Sequence, residues 1–223
     1  MKNVIDLNCK IGKRIQRELN TAQRVLDALP PAVSIYGGTR IKTDDPYYQH
    51  AFNLAKSISD AGIPVISGGG PGIMEAANKG ARDGENGTSV GLAIMLPFET
   101  PNEHHDISLM FEHFASRKIT FCRHSRAFVC MPGGVGTLDE LFEVVTLVQT
   151  GKMGEIPVIL FGSEFWGGLL SWLHNTVLAR GLIAKKDLEQ RIRVVDTVEE
   201  AMAIILSTDG ETIPDSDHTP SVA

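Results

Sequence analysis

The chain has 223 residues, 43% of them hydrophobic, and its 21 Lys and Arg against 27 Asp and Glu give a net charge of −6. That length and apolar content suit a single α/β domain with a sizeable core. The acidic balance makes the chain a poor candidate for non-specific nucleic-acid binding, which needs a strong basic patch, but leaves room for a local site for a small anion.

In chain order, Ile15, Leu19, Ala22, Val25, Leu26 and Leu29 recur at helical spacing and predict a helix over 13–29, stopped by Pro30-Pro31. Ala32 to Tyr36 is a short apolar run that reads as a buried strand, ending in Gly37-Gly38. A helix over 46–61 follows, capped by Asp44 or Asp45, begun by Pro46 and ended by Gly62. A strand over 63–67 leads into Gly68-Gly69-Gly70-Pro71-Gly72 and a helix over about 73–83. A strand over 89–95, a polar loop over 96–106 and a short strand over 107–111 come next. Then come a helix over 115–124, a strand over 127–131, a second long glycine turn and a helix over 138–149. The remainder reads as a strand over 157–161, a helix over 165–179, a strand over 192–195 and a helix over 198–206.

This alternation, with strands that are apolar throughout, predicts a Rossmann-like, doubly wound parallel sheet with helices on both faces. The expected organisation is a helical extension over 1–31, a nucleotide-binding α/β domain over 32–207 and a flexible tail over 208–223. Cys9, Cys122 and Cys130 are odd in number and have no CxxC spacing, so reduced thiols are expected rather than disulfides or a zinc site. The first residues do not read as a signal peptide, and no apolar run approaches the ~20 residues of a membrane span. A cytoplasmic protein with no membrane or nucleic-acid partner is the expectation.

Three predicted strands end in glycine turns: Gly37-Gly38-Thr39, Gly68 to Gly72, and Gly133-Gly134-Val135-Gly136-Thr137. Glycine lets a backbone approach a ligand closely. The last two turns open into helices, whose first N–H groups are unpaired and favour a phosphate. One such turn can be a tight connection and nothing more; three on one sheet edge point to an anion site. Neither the Walker A pattern nor the GxGxxG fingerprint occurs.

Among charged groups, Arg117 and Lys118 open a helix and can grip an anion or simply form a solvated basic end. Glu140, and more so Asp139 and Glu143, could be no more than favourable partners of the helix dipole. Beside a bound sugar phosphate, however, a carboxylate could stabilise an oxocarbenium-like ribose or activate water. His104, His105, Asp106 and His113 match no metal motif and read as loop or rim residues. Trp166 and Trp172 read as core or subunit interface, and Lys152 as a cation at a helix end.

Pro132-Gly133-Gly134-Val135-Gly136-Thr137-Leu138-Asp139-Glu140 resembles the PGGxGTxxE signature of the LOG ("Lonely Guy") proteins, cytokinin riboside 5′-monophosphate phosphoribohydrolases often mislabelled lysine decarboxylases. Ser67 to Ala77 resembles the family's second glycine motif, and Arg117-Lys118 its Arg-Lys element. The resemblance spans roughly residues 32–206. It implies cleavage of a nucleoside 5′-monophosphate, AMP or an N6-substituted AMP, to free base and ribose 5-phosphate by a homodimer or larger homo-oligomer, with no cofactor or metal. Carried over residue by residue, it implies Arg117 and Glu140 as the catalytic pair and Gly133, Gly134, Gly136 and Thr137 at the 5′-phosphate. It further implies Gly69 and Gly70 lining the nucleotide site and Lys118 as a secondary contact. Many members carry Met-His-Glu where this chain has Phe114-Ala115-Ser116, which bears on the base preferred. The alternative on the same fold is a non-catalytic nucleotide or molybdenum-cofactor carrier. A pyridoxal-phosphate decarboxylase fits poorly, because no lysine sits in a recognisable Schiff-base setting.

Overall fold

A computed structural model describes residues 10–97 and 100–208. Seven strands form one all-parallel sheet: β1 (Ala32–Tyr36), β2 (Val65–Ser67), β3 (Ser89–Ile94), β4 (Ile107–Phe111), β5 (Ser125–Cys130), β6 (Val158–Phe161) and β7 (Ile192–Val195). Their spatial order is β4-β3-β2-β1-β5-β6-β7. Connectivity therefore runs outward from β1 to the β4 edge, returns to β5 beside β1, and runs outward again. The crevice between the carboxyl ends of β1 and β5 is the reversal point where ligands of such sheets bind.

The helices are α1 (Lys10–Leu26), α2 (Pro46–Asp60), α3 (Ile73–Asp83), α4 (Phe114–His124), α5 (Val135–Gln149), α6 (Ser163–Trp172), α7 (Lys185–Glu189) and α8 (Val198–Leu206), with a π-helical segment Leu173–Leu178 after α6. One apolar core lies under α1, α4, α5 and α6 and includes Leu26, Phe121, Phe128, Leu141, Val144 and Trp166. A second lies under α2, α3 and α8 and includes Leu54, Ile58, Ile73, Ala77 and Ile205. The inner strands are thus dry on both faces, which is why they carry no polar alternation, whereas the edge strands β4 and β7 keep exposed positions. No described helix is long and apolar enough to cross a membrane.

Several boundaries differ from expectation for local reasons. The first helix spans Lys10–Leu26 instead of 13–29, because the residues approaching Pro30 are pushed out of helical geometry. The second strand starts at Val65, since Pro64 has no N–H to donate, although its carbonyl accepts from Val33 N at 2.9 Å. Asp45, not Asp44, caps α2 by accepting from Tyr47 N at 2.8 Å. The helix expected over 165–179 instead starts at Ser163 and widens into the π-helical turn. Helix α7 was not expected: five residues are too few for periodicity, and its start is held by Asp187, which accepts from Ala184 N at 2.8 Å. Cys9, residues 98 and 99 of the expected loop, and the expected tail beyond Thr208 lie outside the described residues.

Candidate active site

The three glycine turns meet at the carboxyl edge of the sheet. Gly38 N donates to Pro132 O at 2.9 Å, which closes the β1 turn against the β5 turn. Ile73 N donates to Gly38 O at 3.1 Å, which brings in the β2 turn. Helix α5 starts at Val135, three residues earlier than expected, after Gly134 as its cap. Gly136 and Thr137 are therefore part of the first helical turn and not of the loop. The N–H groups of Val135, Gly136 and Thr137 have no carbonyl one turn back, so they are open to an anion. No side chain caps this helix start.

Gly133 packs against that turn so tightly that an added Cβ would strike the Thr137 hydroxyl and lie 3.0 Å from Gly38 N. Thr137 is buried. Gly133→Ala is therefore expected to push Thr137 off its position and weaken binding of inorganic phosphate about tenfold, or ~1.4 kcal/mol. Calorimetric titration measures this, and an unchanged affinity would mean the anion does not use this turn.

Glu140 lies one turn further along α5, on the side of Thr137, Leu141 and Val144 that faces the sheet. Its Oε1 is 3.7 Å from Arg117 Nη1, with the two side chains only 15% and 7% exposed. Arg117 is held on three sides. Nε donates to Leu92 O at 2.7 Å and Nη2 to Gly68 O at 3.3 Å, and the guanidinium carbon lies 5.4 Å from the Phe121 ring centre. A Cβ at residue 68 would occupy the space of Arg117 Nη2, so glycine there is the condition for the arginine to enter.

Burial pushes the Glu140 carboxyl up to about 7, against the pull of Arg117 and Lys118 and with Asp139 and Glu143 adding to the rise. Tyr36, buried between Phe121 and Phe128, is raised well above the usual phenol range by burial first and by the charge of Glu140 next. The Cys122 thiol is pushed up to about 12 by burial, and burial raises Cys130 as well, so both stay protonated. A carboxyl poised near neutrality beside a fixed cation, one turn from an uncapped helix start, can exchange a proton with water and stabilise developing positive charge.

Of the residues expected at the site, the structure brings together Arg117, Glu140, Gly133, Gly134, Gly136 and Thr137, and the β2 turn with Gly69 and Gly70 joins them through the Gly68 carbonyl on Arg117. Lys118 is directed elsewhere. Its Nζ pairs with Asp139 at 3.0 Å and Glu143 at 2.9 Å, and it borders an exposed groove with Val135, Leu138 and Phe142. Burial would lower its ammonium pKa, but those two carboxylates overcome this and hold it raised.

The histidines do not gather into one centre. His104 lies 4.0 Å from Glu75, His105 packs over Gly91, and His113 Nδ1 lies 3.2 Å from Glu18. Among the described residues, Glu18, Glu112 and His113 have the spacing of a metal-binding group. The Glu18 oxygens are already engaged there by Glu112 N at 2.9 Å, His113 and the Ser116 hydroxyl. Glu18 therefore ties α1 to the segment that leads into α4. Trp166 is core, donating Nε1–H to Cys130 O at 3.2 Å, whereas Trp172 is 54% exposed.

Residues 74–205 match a family model described as "Possible lysine decarboxylase". The chain is 28% identical over 185 residues to "Cytokinin riboside 5'-monophosphate phosphoribohydrolase LOG" of Oryza sativa subsp. japonica, covering 82% of this chain and 74% of that protein. It is also 28% identical over 182 residues to a cytokinin riboside 5'-monophosphate phosphoribohydrolase of Rhodococcoides fascians, covering 80% of this chain and 90% of that one. In fold it is similar to the molybdenum cofactor carrier protein of Chlamydomonas reinhardtii, with a TM-score of 0.59 and 22% identity over 79% of this chain and 96% of that one.

Proposed function

The chain belongs to the LOG family, and from that premise we propose that it hydrolyses the N-glycosidic bond of purine nucleoside 5′-monophosphates, AMP or its N6-substituted cytokinin forms, to free base and ribose 5-phosphate. The observation that carries this reading is the buried Glu140–Arg117 pair one turn below the open start of α5. One helical turn is ~5.4 Å, the scale of a ribose that joins a 5′-phosphate to C1′.

In this reading the amides of Val135, Gly136 and Thr137 hold the phosphate, with Gly133 and Gly134 leaving room for it. Gly69 and Gly70 line the opposite wall. As the C1′–N bond breaks, its electron pair leaves with the base, which takes up a proton from solvent, to be returned by Glu140 after the attack of water. Positive charge spreads over the ribose ring and is met by ionised Glu140. A water oxygen then bonds to C1′ and gives its proton to the carboxylate. Arg117 keeps that carboxylate oriented and partly ionised. Lys118, paired with Asp139 and Glu143 on the outer side of α5, is left out of the substrate contacts in this reading.

A decarboxylase would need a lysine whose amine loses its proton readily. Lys118 is instead stabilised in its charged form by Asp139 and Glu143, which disfavours it as a Schiff-base residue. The carrier alternative shares the fold, but a buried carboxyl near neutral pKa is more useful to a reaction than to storage.

We place the protein in the cytoplasm, consistent with its two buried thiols Cys122 and Cys130. We also take it to be a homodimer or larger assembly that uses the outer face of α4 and α5. Val135 is 84% exposed there, and Phe142, Phe114 and Ile119 are exposed beside it.

The direct test incubates the protein with AMP and N6-substituted AMPs and separates the released base by chromatography. Base release should rise with pH through about 7, as Glu140 ionises. Recovery of intact nucleotides throughout would overturn the hydrolase reading in favour of a carrier.

A further inference from the structure

Asn102 lies in the loop between β3 and β4, outside the glycine turns and the Arg-Lys element, and bonds the β2 glycine turn. Its backbone N–H donates to Gly69 O at 2.7 Å, and its side-chain Nδ2 donates to Gly70 O at 2.9 Å and to Asn78 Oδ1 at 3.1 Å. Its Oδ1 accepts from His104 N at 2.9 Å. The network continues into fully buried groups. Asn78 Oδ1 also accepts from the Ser67 hydroxyl at 2.6 Å, and Ser67 Oγ accepts from Gly69 N at 3.0 Å. Asn78 Nδ2 donates to Ser89 Oγ and to Val90 O, each at 3.1 Å. Asn78 and Ser67 are 0% exposed, so these bonds have no water to replace them.

The carbonyls of this turn are shared among three residues: Asn102 takes Gly69 and Gly70, the His105 ring also bonds the Gly69 backbone, and Arg117 takes Gly68. Leu92 O and Gly68 O engage Nε and Nη2 of Arg117, and the remaining nitrogen, Nη1, lies 3.7 Å from Glu140 Oε1.

We propose that Asn102 is a positioning residue, which fixes the β2 glycine turn and through the Gly68 carbonyl sets the Arg117–Glu140 separation that the reaction uses. The consequences for rate rest on the hydrolase reading; the geometric link does not. Freed of Gly68, the guanidinium would close on Glu140 and favour its ionised form. The charged and titratable groups around Glu140 are Arg117, Lys118 and Cys122 from α4, Asp139 and Glu143 on α5, Tyr36 from β1 and Cys130 from β5. A neutral substitution at Asn102 alters none of them, so any change in the Glu140 titration must travel through geometry.

The test compares wild type, Asn102→Ala and Asn102→Leu, the last of which keeps most of the volume; both remove the side-chain donor to Gly70 O and Asn78 and keep the backbone bond to Gly69 O. The Glu140 titration is read by carboxyl 13C NMR, and base release from AMP is followed across pH. Both variants should shift the Glu140 titration toward acid by about 1 pH unit, tenfold in the proton equilibrium. They should also lower base release at pH 8 by about ten- to a hundredfold. An unmoved Glu140 titration, or loss of folding in both variants, overturns the proposal and makes Asn102 a structural residue only. If wild type releases no base while the variants still move the Glu140 titration, the hydrolase reading falls and the positioning role stands.

Discussion

Glu140→Gln is expected to reduce base release from AMP by about 10²–10⁴-fold while leaving nucleotide binding in place and making the protein more stable above pH 7. The two effects have one origin. Folding raises the Glu140 carboxyl from the ordinary 4.5 to about 7, mainly through burial. Between those values the folded state binds a proton that the unfolded chain has released, so stability falls as pH rises through that window and levels off above it. The shift corresponds to roughly 3 kcal/mol at full ionisation, and the carboxylate is only 15% exposed, so solvent screens little of it. Glutamine has nearly the same shape and no charge to bury. Thermal unfolding should show a gain of about 1–3 kcal/mol for the variant at pH 8 that shrinks by pH 5. An equal difference at both pH values would mean that Glu140 is not buried in its charged form.

Arg117→Leu is expected to act in the opposite sense on stability and to reduce the rate as well. It leaves the carbonyls of Leu92 and Gly68 without their donor and removes the nearest cation from Glu140. Breaking a buried ion pair from one side costs about 3–5 kcal/mol, and each abandoned carbonyl contributes to that loss. Arg117 is the strongest influence holding the Glu140 pKa down. Its removal should therefore move the rise of base release toward alkaline pH, and the loss of stability should be greater at pH 8 than at pH 5. Arg117→Lys restores the charge but not the reach to both carbonyls, so it should recover part of the pH profile and less of the stability. A profile unmoved in Arg117→Leu would separate this arginine from the Glu140 proton.

The parallel sheet was legible because β1, β3 and β6 are apolar along their length and each main strand ends in a helix breaker or glycine turn. The meeting of those turns was legible too, since a parallel sheet puts all carboxyl ends on one edge. Glu140 and Arg117 stood out by their place in the motifs, yet neither the burial of the carboxylate nor the carbonyls holding the arginine could be read from local pattern. Those depend on β3 and β2 lying side by side, which brings Leu92 and Gly68 together around α4.

Lys118 shows the converse. As a basic residue next to Arg117 it looked like a second anion contact, but adjacent residues on a helix point about 100° apart. It therefore reaches the outer side of α5 and its acidic residues. The start of α5 was misplaced because Val135-Gly136-Thr137 has weak helix propensity, whereas the glycine cap and packing on β5 settle it. Asn102 and Glu18 carried no signal at all. Each acts across a gap in sequence, Asn102 on Gly69 and Gly70 and Glu18 on Ser116, and polar loop or helix-surface residues of that kind become visible only when the fold supplies their partners.

The measurement closest to the central claim is a crystal structure of Glu140→Gln with AMP bound, a variant expected to hold the substrate uncleaved. The phosphate should lie on the amides of Val135, Gly136 and Thr137, with C1′ against the residue 140 side chain and the base in the crevice bounded by Gly69 and Gly70. A nucleotide bound outside that crevice, or bound there with C1′ out of contact with residue 140, would contradict it.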